Sequence, residues 1–240
     1  LTKKLSQYFE VRFNPLIEGD RQVLQSHLHE EMLQDLEHVS NLDEDKIIRQ
    51  YMAVIKHTLR TNFYQSAVNG EFKTYVSFKF FSRDIPGMPK PYPKYEIFVY
   101  SPRFAGIHLR RSEVARGGLR WSDRKEDFRT EVLGLMKAQQ VKNAVIVPNG
   151  AKGGFVPKHL DKMTTRDEVW AEGVACYQSF VSGLLDITDN YKDQEIVRPK
   201  QVVAYDEPDP YLVVAADKGT ATFSDYANAI SKQYEFWLGD

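Results

Sequence analysis

Apolar residues in the first quarter of the chain recur at the spacing of a helix. Leu24, Leu28, Met32 and Leu36 fall every fourth residue, and Ile48, Tyr51, Met52, Ile55, Leu59 and Phe63 follow behind a cap at Asn41 or Asp43. Two amphipathic helices are expected. Past "NGEF" (69–72) the period shortens: "KTYVSFKFF" (73–81) and "KYEIFVY" (94–100) are aromatic and β-branched, with the stiff "IPGMPKPYP" between them, and read as paired strands. "AGIHLR" (105–110) reads as a third strand. Next come a glycine turn in "ARGGLR" (115–120) and a helix capped by Ser122 or Asp123, burying Phe128, Val132, Leu135 and Met136. The run "AVIVP" (144–148) is apolar on both faces, as a strand covered by helices on both sides would be.

The second half repeats the rhythm. Val169, Gly173, Cys176, Phe180 and Leu184 keep helical spacing, "QVVAYD" (201–206) and "LVVAAD" (212–217) read as short buried strands, and a closing helix from about Ser224 carries Ile230 and Trp237. Helices alternating with short apolar strands imply an α/β layer structure. The boundary falls near residue 70, with a helical segment over 1–70 and an α/β domain over 71–240.

Composition narrows the function classes. A chain of 240 residues can bury a real core. Lys plus Arg is 32 against 33 Asp plus Glu, net charge −1, so no global field draws the molecule to nucleic acid or an anionic membrane. The single cysteine, Cys176, makes no internal disulfide, which fits a reducing cytoplasm. No segment approaches about 18 uninterrupted apolar residues. A start at Leu1 and an end inside an apparent helix suggest a piece of a longer polypeptide.

Any anion recognition is therefore local. "PNGAKGGF" (148–155) sets one cation, Lys152, among glycines that admit a ligand close to the backbone. No Gly-Lys dipeptide and no G-x-G-x-x-G occurs, so neither familiar nucleotide loop is present. Alone, the loop reads as a surface turn with a solvated lysine, Arg116 as a surface partner of Glu113, and Lys142 as a solvated helix residue. Together, Arg116, Lys142 and Lys152, with Asp217 leaving another apolar strand, form a candidate site for a small dianion. The histidines show no metal-ligand spacing and Cys176 lies in a helical apolar stripe, so no metal site is expected. The basic and aromatic mixture over 79–98 reads as a hairpin rather than a nucleic-acid surface.

The stretch "ARGGLRWSDRKEDFRTEVLGLMKAQQVKNAVIVPNGAKGGF", followed by "DEPDPYLVVAADKGTATFSD", resembles the substrate domain of glutamate dehydrogenases, and its wording is similar to the very large NAD-dependent bacterial form. The likeness covers residues 100–240 strongly. It implies a layered α/β/α domain with a mixed sheet, like the N-terminal domain of amino acid dehydrogenases, preceded by helices. It implies reversible oxidative deamination of L-glutamate to 2-oxoglutarate and ammonia. NAD would be held mainly by a nucleotide-binding domain after residue 240, so the piece alone would be inactive. The resemblance assigns catalysis to Lys152, substrate binding to Arg116, Gly117 and Lys142, and proton transfer to Asp217, with Asp206 and Asp209 close enough to remain alternatives. Two departures stand out: Arg116 replaces a lysine, keeping the charge and adding a planar fork for a carboxylate, and the Lys152 loop is one residue shorter. A cytoplasmic homo-oligomer is expected. The rival readings are a leucine- or phenylalanine-type dehydrogenase and a non-catalytic regulatory or oligomerisation module.

Overall fold

A computed structural model of the chain describes residues 1–67, 70–142, 149–216 and 222–239, without the side chains of Gln140, Lys142, Ala215 and Ala216. Three helices come first: α1 Thr2–Phe13, α2 Arg21–Leu36 and α3 Leu42–His57. Two begin where a side chain can take the orphan amide protons of the first turn. Asp20 accepts from the backbone N–H of Gln22 and Val23, and Asn41 from those of Asp43 and Glu44. Tyr8, Met32, Leu36 and Met52 close a small core among them. Leu24, on the expected stripe, is exposed, and α2 buries Gln25 instead. The third helix stops at His57, so Leu59 and Phe63 do not prolong it.

The strands among the described residues are β1 Thr58–Thr61, β2 Val76–Phe80, β3 Tyr95–Tyr100, β4 Phe104–Arg110, β5 Arg116–Trp121, β6 Ala151–Pro157, β7 Asn190–Lys192, β8 Glu195–Val197 and β9 Val213–Ala216. Seven form one sheet in the order β1-β2-β3-β4-β6-β5-β9, while β7 and β8 pair with each other. The run from β1 to β4 and on to β6 is antiparallel, whereas β5 lies parallel to both β6 and β9, so the sheet is mixed.

Helices cover both faces. On one side α4, Phe128–Lys142, sets Val132, Leu133 and Met136 on Ile107 and Leu109 of β4. On the other, α5 (Arg166–Leu185) and α6 (Phe223–Gln233) bury Phe180, Leu184, Phe223 and Ile230 against Ile97, Leu119, Phe155 and Val214. The result is the expected α/β/α layering. Thr165 and Glu168 close a reciprocal cap at the start of α5. That helix lies close to the sheet at Gly173, where a Cβ would stand 2.1 Å from the Trp121 ring. Cys176 is core, its thiol pushed up to about 12 by burial and then by Glu172.

Several local expectations are corrected. The glycine pair 117–118 lies inside β5 rather than in a turn, and "AKGG" (151–154) opens β6. Helix α4 begins at Phe128, so Ser122 and Asp123 do not cap it, and Leu133 enters the core where Leu135 was expected. "QVVAYD" forms no strand, and Trp237 lies past the end of α6. The "AVIVP" run falls outside the described residues. The first seventy residues are not purely helical, because β1 is paired into the sheet and Arg12 of α1 donates to the Thr58 carbonyl at 2.9 Å.

Candidate active site

The register of β5 against β6 brings two of the expected cations together. Arg116 bridges Gly150 and Leu119 pairs with Gly153, which sets Lys152 across from Gly118. Lys152 is thus one strand over and two residues along from Arg116, roughly 8 Å between Cα atoms at the usual strand spacings. Residues directly paired or two apart share a face. A Cβ on Gly154 would meet Val132 and one on Gly150 would meet Gln139, both of α4, so Lys152 and Arg116 lie on the α4 side. They sit at the amino ends of parallel strands, level with the carboxyl end of β4, where Arg110 pairs with Ala151. Arg116 is exposed and Lys152 half-buried. The Arg116 to Glu113 pairing weighed above does not occur: Glu113 binds Lys94.

Gly117 shows why the residue type is fixed. A Cβ there would stand 1.6 Å from the Ala151 carbonyl oxygen, so only glycine lets β5 come this close to the start of β6. Gln139 closes the arrangement from above. Its Nε2 donates to the Arg116 carbonyl at 3.1 Å, and its Oε1 is buried against Gly150. At the other end of α4, Glu131 accepts from Ser122 at 2.5 Å and Arg120 at 3.3 Å. Helix α4 is therefore held to β5 at both ends of its described range, whose last residue is Lys142, with a side chain outside the described residues. Asp217 lies outside them as well; it follows β9 in sequence, and β9 ends with Ala216 opposite Leu119. Gln139 was not singled out from sequence. A glutamine beside the expected Lys142 carries no signal until the helix is laid over the glycines.

The comparisons with known proteins bear on this arrangement. A model of the bacterial NAD-glutamate dehydrogenase catalytic domain matches residues 31–240. The chain belongs to that family. It is 61% identical over 243 residues to the NAD-specific glutamate dehydrogenase of Pseudomonas aeruginosa, covering all of this chain and 15% of the relative. It is 56% identical, with the same coverage, to the protein of that name from Halomonas elongata. Against that of Mycobacterium tuberculosis it is 54% identical over 214 residues, or 86% of this chain and 13% of the relative. The chain thus spans about 15% of the length of the first two relatives.

The loop before β9 is anchored by a buried ion cluster. Arg60 holds Asp189 through two N–H donors at 2.8 and 3.0 Å and Asp206 at 2.6 Å, and Lys79 reaches both Asp206 and, at 2.6 Å, Asp209. Arg110 grips Asp209 and the Tyr211 carbonyl. All six side chains are at most 5% exposed, three cations against three carboxylates. Burial alone would raise the Asp209 carboxyl, but Arg110 and Lys79 bring it down to about 2. Asp206 and Asp209 are thereby engaged in structure. Beside Arg110 on β4, His108 is fully buried with neither ring nitrogen partnered, and burial, then Arg110, lower it to about 3.

Proposed function

We propose that this domain binds L-glutamate and 2-oxoglutarate and carries the proton-handling groups for their reversible interconversion with ammonia. The observation that supports it most is the β5/β6 register, which sets Arg116 and Lys152 on one face under the end of α4. Arg116 can grip one carboxylate with two parallel N–H donors, and Lys142 at the helix terminus supplies a charge for the second. Fixing both carboxylates pre-orients Cα, an effect that lowers a barrier by roughly 7 to 11 kcal/mol in favourable systems. Lys152 serves as base toward the water that adds to the iminium carbon, and Asp217 exchanges protons with the substrate nitrogen. The engagement of Asp206 and Asp209 in the ion cluster favours Asp217 over either of them.

The residues described here do not fit a dinucleotide. The glycine pairs 117–118 and 153–154 lie inside strands, where Gly117 serves close strand approach, and neither pair opens a helix over a pyrophosphate. NAD use, named in the relatives, is assigned in this reading to a nucleotide-binding domain beyond residue 240, and the cytoplasmic, homo-oligomeric state belongs to the same proposal, as do the boundaries 1–70 and 71–240.

The test is Lys152→Ala in the full-length protein. The expected result is a loss of roughly 100- to 10,000-fold in kcat, the usual worth of a positioned base, with protein that still binds 2-oxoglutarate. Unchanged turnover would overturn the assignment and favour a non-catalytic module.

A further inference from the structure

A cavity of about 640 Å3 opens between α1, α2, α3 and the loop before β9, a size that holds small metabolites. Its wall carries Arg12, Arg21, Lys56 and His29, with Asp20 as the one carboxylate in the lining. Asp20 is committed to the amide protons at the start of α2. Arg12 donates to the Thr58 carbonyl and the Gln25 side chain, Arg21 to the carbonyls of Val11, Asn14 and Ile17. Each guanidinium spends three of its five N–H donors on neutral oxygens, leaving two. Among the described residues none of the three cations has a carboxylate partner.

Burying a cation without a counter-charge is costly, and Arg12 is only 8% exposed. The positive field reaches the neighbouring imidazoles. Burial and then Lys56 hold His29 below its ordinary value, and burial with Lys56 and Arg12 does the same to His57 against the pull of Asp84. The Nδ1 of His29 is buried in that wall with no partner.

We propose that this cavity binds a phosphate-bearing small molecule, its phosphate oxygens taken by Arg21, Lys56 and the spare donors of Arg12. A tetrahedral dianion answers the excess of two positive charges that three cations and one committed carboxylate leave, and arginine forks match its oxygens. The occupant would bear on the catalytic domain through Tyr205, whose hydroxyl donates to the Arg12 carbonyl at 2.6 Å and accepts from Gln25 at 3.0 Å, and which precedes Asp206 of the ion cluster.

The experiment is calorimetric titration of the full-length protein, saturated with 2-oxoglutarate to fill the dicarboxylate clamp, with inorganic pyrophosphate, beside succinate at equal ionic strength. Saturable pyrophosphate binding is expected, at least tenfold tighter than succinate. It should weaken at least tenfold in Lys56→Glu and in Ser26→Asp, exposed positions whose replacement leaves the helical core intact. The absence of saturable binding, succinate binding as tightly, or binding that neither variant weakens would overturn the proposal.

Discussion

At Gly117 a single methyl group decides whether two strands can meet. Because its Cβ would run into the Ala151 carbonyl, a backbone atom that cannot swing away, Gly117→Ala is expected to cost on the order of 3 kcal/mol, the upper range for overpacking. A urea midpoint unchanged from wild type would refute this. The sequence showed that glycines crowd around Arg116 and Lys152, but a turn and a crowded strand pair use the same residue, and only the neighbouring strand distinguishes them. His108 was likewise unreadable, since nothing in "AGIHLR" says that both ring nitrogens will lack partners. Its consequence is a pH dependence. With the folded value lowered to about 3, the unfolded chain takes the proton first as pH falls below the ordinary value of about 6.5, so stability present above that point declines toward pH 3, by about 1.4 kcal/mol per unit. His108→Leu should remove one proton's worth of that slope in urea titrations between pH 7 and 5. An unchanged slope would contradict it.

Among the elements, those marked by a strong period were legible and those decided by side-chain commitments were not. The stripe from Val169 to Leu184 became α5, and the aromatic runs became β2 and β3 in antiparallel register. "QVVAYD" reads as a short buried strand, yet the Tyr205 hydroxyl is bound to α1 and α2 and Asp206 to Arg60 and Lys79, which draws the segment out of the ladder. The β7–β8 hairpin turns through positive φ at Asp193 and Gln194, without the glycine or asparagine that announces such turns. Helix α4 carries the prediction at this scale. Gln139→Leu removes the contact to the Arg116 carbonyl while leaving the Glu131 anchor. In steady-state kinetics of the full-length protein, KM for 2-oxoglutarate should rise severalfold with a smaller change in kcat. Equal KM values would show that the end of α4 does not position Arg116.

For the molecule as a whole, the ion cluster joins β1, β2, β4, the connection between α5 and β7 and the loop before β9. Removing one partner leaves charge buried and unpaired, so Lys79→Met should cost about 3 to 5 kcal/mol; a loss below about 1 kcal/mol in chemical unfolding would show that the cluster relaxes. From sequence these six residues were scattered over 150 positions, Asp206 and Asp209 seen only as alternatives and the other four not at all, because long-range pairing leaves no local pattern. The central claim concerns substrate: two positive anchors imply two carboxylates. NADH oxidation by the full-length protein with ammonium, comparing 2-oxoglutarate with 4-methyl-2-oxopentanoate, tests it most directly. The account predicts turnover of 2-oxoglutarate alone, with KM raised in Arg116→Met. A preference for the branched mono-acid, or an unaffected KM in the variant, would contradict it.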